Sequence, residues 1–125
     1  MKAKDYIQNA IKTERKDYDF IATGEVTPRI EHAVMGLVTE AGELMDQLKK
    51  AKIYRKDLDK VNLIEEAGDV MWYLALLCDE LQVDFEDVWD RNIKKLAARY
   101  PEKYSQEKAM NRDLKTEREI LEKKR

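Results

Sequence analysis

The apolar positions of this chain recur every three to four residues, which is the spacing of amphipathic α-helices. No segment shows the strict alternation of apolar and polar residues that is typical of a strand. The pattern predicts four successive helices, at about residues 4–21, 28–51, 61–81 and 84–100. The third is the most apolar of the four, and Pro101 is expected to end the fourth.

Three residues before these helices are typical N-caps. Thr27 precedes Pro28, which suits the first helical position, while Asp59 and Asp84 precede the third and fourth helices. The second helix is expected to turn its apolar side towards the core, through Ile30, Ala33, Val34, Leu37, Val38, Leu44, Met45 and Leu48.

The last part of the chain, residues 102–125, is mostly charged and has too few apolar residues to form a core of its own. It is interpreted as a partly helical arm that packs on the body or on a neighbouring subunit, with a solvated, partly frayed tail as the alternative. The prediction is therefore an all-α, four-helix bundle-like domain over residues 1–101 with a C-terminal arm over residues 102–125. A short helical chain exposes much apolar surface, so we expect an oligomer.

Composition and charge narrow the classes of function. A net charge of −2 and a pI near 5.6 give no long-range attraction to nucleic acid or to an anionic membrane. The single cysteine, Cys78, excludes an internal disulfide, suits a reducing compartment and is expected in the core. The N-terminus lacks the apolar stretch of a signal peptide, and the most apolar run, residues 70–78, is about half a membrane span. The expectation is a cytoplasmic protein.

A short block of acidic and small residues occurs twice. The sequence EAGELM at residues 40–45 returns as EAGDVM at residues 66–71, with four of six residues identical. In each copy two acids are three positions apart, so both project from one helical face. Each pair encloses a glycine, which costs about 1 kcal/mol relative to alanine inside a helix. We therefore expect another element, such as the facing helix, to approach closely at Gly42 and Gly68.

If the second and third helices form an antiparallel hairpin, the two acidic pairs can face each other. Four carboxylates at close range would raise one another's pKa values unless a cation neutralised them. The candidate ligands are all carboxylates, with no Cys among them and no His at ligand spacing. Such a set of oxygen ligands favours Mg²⁺ or Mn²⁺ over zinc. The predicted ligands are Glu40, Glu43, Glu66 and Asp69. The alternative is that these are solvated surface acids, as a single Glu-x-x-Glu usually is.

Other metal and phosphate motifs are missing from the sequence. A ferritin-type di-iron bundle needs Glu-x-x-His, but the single histidine, His32, has Arg29 three positions before it. The chain contains neither the loop of an EF-hand nor a Gly-rich phosphate loop.

The segment HAVMGLVTEAGEL at 32–44, followed by EEAGDVMWY at 65–73, resembles the MazG-type all-α NTP pyrophosphohydrolases. Their signature is Glu-Glu-x-x-Glu, a spacer, and Glu-x-x-Asp. The stretch RNIKKLAARYP at 91–101 is similar to the family's Asn, Lys and Arg region near the substrate phosphates, and NRDL at 111–114 is similar to shorter, phage or prophage-type members. Thr39 departs from the signature, which often opens with two glutamates, and this difference bears on the number of metal ions and their surrounding hydrogen bonds.

The resemblance implies Mg²⁺-dependent hydrolysis of a nucleoside triphosphate between the α- and β-phosphates, giving a monophosphate and pyrophosphate, in a dimer or a dimer of dimers. On this interpretation the four acids hold one or two Mg²⁺, with Mn²⁺ as a possible substitute. Glu43 or Glu40 orients or deprotonates the attacking water. Candidate substrate-binding residues are Asn92, Lys95 and Arg99 on the fourth helix, Lys49 and Lys50 after the first block, and Trp72 for stacking on the base.

Each of these assignments has a competing interpretation. The basic residues can be solvated helix charges, and Trp72 is more typical of a core or an interface. At the level of function, the alternatives are a helical interaction module whose acids form salt bridges across a dimer, and a nucleotide-binding regulator without turnover. The pattern does not indicate which base or sugar the nucleotide carries, whether the oligomer is a dimer or a tetramer, or what the biological role is.

Overall fold

The computed structural model describes residues 1–123, and helices dominate it. The described residues form six helices: α1 (Ala3–Lys12), α2 (Pro28–Lys52), α3 (Lys60–Glu80), α4 (Phe85–Arg99), α5 (Gln106–Met110) and α6 (Leu114–Glu122). An isolated bridge between Thr23 and Val26 is the only strand-like pairing in that part of the chain. The all-α prediction is confirmed. The last two residues of the predicted arm, 124 and 125, lie outside the described residues.

The chain divides into two compact units, residues 1–82 and residues 83–125. The predicted domain boundary after residue 101 remains a prediction. None of the described helices is both long enough and apolar enough to cross a bilayer.

The first helix is shorter than predicted, because α1 ends at Lys12 and not near Ile21. The hydroxyl of Thr13 donates to the carbonyl oxygen of Ala10 at 2.8 Å and so satisfies a helix-end acceptor. One residue after Thr13, the carboxylate of Glu14 accepts hydrogen bonds from Arg29 at 2.7 and 2.9 Å. This ion pair holds the segment to the start of α2 without helical hydrogen bonds, and Ile21 is 86% exposed.

Helices α2 and α3 form an antiparallel hairpin. The predicted N-caps are confirmed: the side chain of Thr27 accepts from the backbone nitrogen of Ile30, and that of Asp59 accepts from the backbone nitrogen of Asn62. Arg29 at the start of α2 pairs with Asp79 at the end of α3, at 2.5 Å. The chain therefore reverses direction in the loop at residues 53–59.

Gly36 is a point of close contact between the two helices. A Cβ atom there would lie 2.1 Å from Cε1 of Tyr73, so only glycine leaves room for that ring. At Gly42 and Gly68, by contrast, a Cβ atom would meet nothing within 4 Å. The expectation of a close approach at the glycines of the repeated block was wrong within this chain.

The core of the first unit is small. Leu76 is the largest side chain that is fully buried, and Ala33, Ala75 and Cys78 are buried around it, which confirms the prediction for Cys78. Four residues predicted to face the core are instead exposed: Val34, Val38, Met45 and Leu48. An α-helix turns by 100° per residue, so the spacing of these four residues places them along one side of α2. That side adjoins the one that faces α3.

The second unit contains α4 and the helical part of the arm. The carboxylate of Asp84 caps α4 by accepting from the backbone nitrogen of Asp87 at 2.7 Å, as predicted. Glu117 of α6 is only 3% exposed and accepts hydrogen bonds from Arg99 at 2.7 Å and from Arg112 at 3.0 Å. The pair with Arg99 attaches α6 to the end of α4, and the pair with Arg112 holds the segment that precedes α6.

Candidate metal centre

Three of the four predicted acids meet in the α2–α3 hairpin. Carboxylate oxygens of Glu40, Glu66 and Asp69 all lie within 4.8 Å of one another. Glu66 and Asp69 are three positions apart on α3, and the antiparallel pairing places Glu40 of α2 opposite them. Glu66 is buried, Glu40 is half-buried and Asp69 is exposed, so the group is open to solvent on one side.

Glu43 lies outside this group of three carboxylates. It is exposed, and it follows Glu40 by about one turn of α2. Its negative charge still acts on Glu40, although more weakly than the charges of Asp69 and Glu66. The structure therefore separates Glu43 from the three acids whose carboxylate oxygens lie close together.

The cluster has an uncompensated negative charge. The neighbouring Glu66 carboxylate, which can share a proton with Glu40, is the main cause that raises the pKa of Glu40 to about 7. Burial is the second cause, and the charges of Asp69, Glu66 and Glu43 raise this pKa further. Among residues 1–123, no Lys or Arg forms an ion pair with Glu40, Glu66 or Asp69.

An aromatic group adjoins the acids. The ring of Tyr73 lies edge-on to His32 and to Trp72, with centroid distances of 5.6 and 5.0 Å. Burial raises the pKa of Tyr73, as do the charges of Glu40 and Asp69. The indole nitrogen of Trp72 donates to the hydroxyl of Thr13 at 2.8 Å.

The remaining predicted site residues are distributed over both units. Lys49 is exposed and lies over the ring of Tyr54, 5.7 Å from its centroid, while Lys50 pairs with Asp46 at 3.0 Å. Asn92, Lys95 and Arg99 belong to α4 in the second unit, where Arg99 is paired with Glu117. Their roles in substrate binding remain predictions.

Asn62 is a polar residue beside the acids that was not predicted. Asn62 lies four positions before Glu66, and its Nδ2 atom donates to Oε1 of that carboxylate at 3.3 Å. The spacing of four on one helix was the available signal. The ring of His32 adjoins those of Tyr18, Phe20 and Tyr73, in tilted or edge-on geometry.

The donor set suits a hard divalent cation. Three carboxylates without His or Cys match the oxygen ligands that Mg²⁺ and Mn²⁺ prefer. A cation would also neutralise the charge that raises the pKa of Glu40. Fold and site together define an all-α protein with a carboxylate cluster, a candidate cation site, between two antiparallel helices.

Comparison with known proteins gives the family. The model of the MazG nucleotide pyrophosphohydrolase domain matches residues 29–104, a range that includes α2 except its first residue, all of α3 and α4, and all four predicted acids. The chain belongs to the MazG family.

One relative comes from a phage. The chain is 40% identical over an alignment of 77 residues to the Gene 37 protein of Mycobacterium phage L5; the match covers 56% of this chain and 65% of that protein. The chain thus spans slightly less than two thirds of this relative's length. No solved structure matches the chain. The family and the phage relative confirm the resemblance to short, phage-type MazG-like proteins.

Proposed function

We propose that this protein is a Mg²⁺-dependent nucleoside triphosphate pyrophosphohydrolase, which cleaves its substrate between the α- and β-phosphates and releases a monophosphate and pyrophosphate. The main supporting observation is that carboxylate oxygens of Glu40, Glu66 and Asp69 lie within 4.8 Å of one another, inside the region that matches the family. Mn²⁺ is expected to substitute for Mg²⁺, because both prefer oxygen ligands.

Within this proposal the acids divide into two roles. Glu40, Glu66 and Asp69 hold the cation, and bound Mg²⁺ neutralises phosphate charge, polarises a phosphoryl oxygen and lowers the pKa of a water. Glu43 lies one turn beyond Glu40 and outside the ligand group, so its carboxylate is available to orient or deprotonate the attacking water. Glu40 is the second candidate for that base.

The aromatic group next to the acids supports a place for the base of the nucleotide. Trp72 and Tyr73 lie three and four positions after Asp69 on α3, about one helical turn away, and stacking on Trp72 would place the triphosphate near the carboxylates. Asn92, Lys95, Arg99 and Lys49 are proposed to contact the sugar and the phosphates, since Arg and Lys side chains are the usual partners of phosphate oxygens.

The exposed apolar side of the hairpin supports a homo-oligomer. Large apolar side chains recur at helical spacing on both helices and are 45–76% exposed: Val34, Val38, Met45 and Leu48 on α2, and Val61, Ile64 and Met71 on α3. Contiguous apolar surfaces of this kind usually contact another chain.

We expect Val38→Glu to shift the protein towards the monomer in analytical ultracentrifugation. Val26→Glu, which lies outside the helices, is the matched control.

Pyrophosphate release from a panel of NTPs and dNTPs with Mg²⁺ tests the activity. Glu40→Gln, Glu43→Gln and Asp69→Asn should each lower the rate by about 100-fold or more. Glu65→Gln removes the same charge from an exposed position next to Glu66 and should leave the rate unchanged. Wild-type rates in folded Glu43→Gln and Asp69→Asn proteins would show that the site is elsewhere. Thermal stabilisation by nucleotide without pyrophosphate release would instead identify a catalytically silent binding protein.

A further inference from the structure

Asn62 has a buried oxygen atom without a hydrogen-bond donor, and it lies beside the carboxylate cluster. Its Nδ2 atom donates to Oε1 of Glu66 at 3.3 Å. Its Oδ1 atom is buried, and no donor in the described part of the chain reaches it. A buried acceptor that has lost its water and gained no partner is costly, so such an atom calls for an explanation.

A different orientation of the amide would not remove the problem. If the amide turned over, the oxygen would face the carboxylate of Glu66, which has no proton to donate when ionised. Glu66 therefore fixes the orientation of Asn62, with Nδ2 towards the carboxylate and Oδ1 as the free acceptor. Since both atoms are bonded to the same carbon, the free acceptor stays within a few ångströms of Oε1 of Glu66.

A hydrated cation would supply the missing donor. Mg²⁺ binds through one or two carboxylates and keeps several of its waters. A water on a divalent cation is a strong donor, because the cation draws electron density from its O–H bonds. Such a water needs an acceptor beside the cluster, and the unpartnered Oδ1 of Asn62 is a suitable one.

We propose that Asn62 is a positioning residue of the cation site, an inference that rests on the proposed function. Its Nδ2 orients the carboxylate of Glu66, and its Oδ1 accepts a hydrogen bond from a water in the hydration shell of the cation. Partners of this kind typically change metal affinity by about 10–100-fold. Asn62→Ala should therefore weaken the binding of Mn²⁺ and Mg²⁺ by about tenfold or more.

The test measures cation affinity and cation-free stability separately in the full chain. Mn²⁺ binding is followed by electron paramagnetic resonance, Mg²⁺ binding by competition, and stability by thermal unfolding in chelator. Asn62→Asp keeps an oxygen acceptor at this position and should bind Mn²⁺ nearly as tightly as the wild type. It should also lower the unfolding temperature in chelator, because it adds a carboxylate next to Glu66. Asn9→Ala, an exposed position of α1, controls for the change in helix propensity.

A positioning role and a merely structural role give different results. The proposal expects Asn62→Ala to unfold in chelator at the wild-type temperature or above, because the unpaired acceptor is gone, while its affinity for Mn²⁺ falls. An unchanged Mn²⁺ affinity in this variant overturns the proposal, whether or not stability changes, and leaves the proposed function intact. If the wild type itself took up no divalent cation, the proposed function would fail and this inference with it.

Discussion

The contact between Gly36 and Tyr73 offers a direct test of how α2 packs on α3. A Cβ atom at Gly36 would lie 2.1 Å from Cε1 of Tyr73 and 2.3 Å from both Cδ1 and Cζ. Favourable contacts between carbon atoms begin at about 3.5 Å. The ring must therefore move when Gly36 becomes alanine, but His32 and Trp72 adjoin it.

Two opposing effects set the size of the change. Alanine stabilises a helix interior by about 1 kcal/mol relative to glycine. Overpacking a closely packed site costs about 1–3 kcal/mol. Because the clash involves a ring between two other rings and not the end of a flexible side chain, we expect the upper part of that range. The net loss in the free energy of unfolding is then about 1–2 kcal/mol, which lowers the unfolding temperature by roughly 4–8 °C in a chain of this size.

Thermal unfolding followed by circular dichroism in chelator, at one low protein concentration, measures this effect. Gly42→Ala and Gly68→Ala are the controls, because a Cβ atom at either position meets nothing within 4 Å. Both should raise the unfolding temperature through helix propensity alone. In a Tyr73→Ala background, Gly36→Ala should also become stabilising. If Gly36→Ala in the wild-type background were as stabilising as the two controls, the packing described for Tyr73 would be refuted.

Three further substitutions test the electrostatic interactions. Because the pKa of Glu40 is raised from 4.5 to about 7, the cation-free folded protein holds a proton that the unfolded chain releases, so stability should fall as pH rises from about 4.5 to 7. Glu40→Gln should remove this dependence in urea unfolding with chelator, and an equal pH dependence in both proteins would contradict the assignment. Glu117→Gln removes the negative charge that pairs with Arg99 and Arg112. It should increase amide hydrogen exchange in α6 while α2 keeps its protection. Unchanged exchange in α6 would argue against these pairs. Arg29→Met leaves the carboxylate of Glu14 without its cation and should cost about 3 kcal/mol in the free energy of unfolding, whereas a loss below about 1 kcal/mol would show that this pair contributes little.

The helix boundaries that could be predicted are those with local causes. Thr27 with Pro28, and the aspartates at positions 59 and 84, each satisfy backbone groups within three residues along the chain. The end of α1 has a different origin. Thr13 bonds locally to Ala10, but the segment that follows is held by the ion pair of Glu14 with Arg29, fifteen positions away, and no local pattern contains that contact.

The exposed side of α2 could not be predicted for a similar reason. Apolar residues at helical spacing show that a helix has an apolar side, but they do not show how much of that side one neighbouring helix covers. Here α3 covers the side that bears Ala33 and Gly36, while Val38 on the adjoining side is 69% exposed. A pattern of this width suits a helix with more than one neighbour, and within the first unit α2 packs mainly on α3.

The repeated block predicted which residue types would meet, whereas the register of the hairpin determines which acids do. Arg29 lies opposite Asp79 and Gly36 opposite Tyr73, so a residue on α2 and its counterpart on α3 have numbers that add up to about 108. By this rule Glu40 falls level with position 68, between Glu66 and Asp69, and all three carboxylates meet.

The same register places Glu43 level with position 65, about one turn beyond the centre of the cluster, which agrees with its absence from the group of three acids. A hairpin shifted by one turn would have selected a different set of acids from the same sequence. The absence of a side chain at Gly36, one turn before Glu40, allows Tyr73 to pack at this level and so opposes such a shift. The glycine that is most important for the site therefore lies outside the repeated block, at the contact that aligns its two copies.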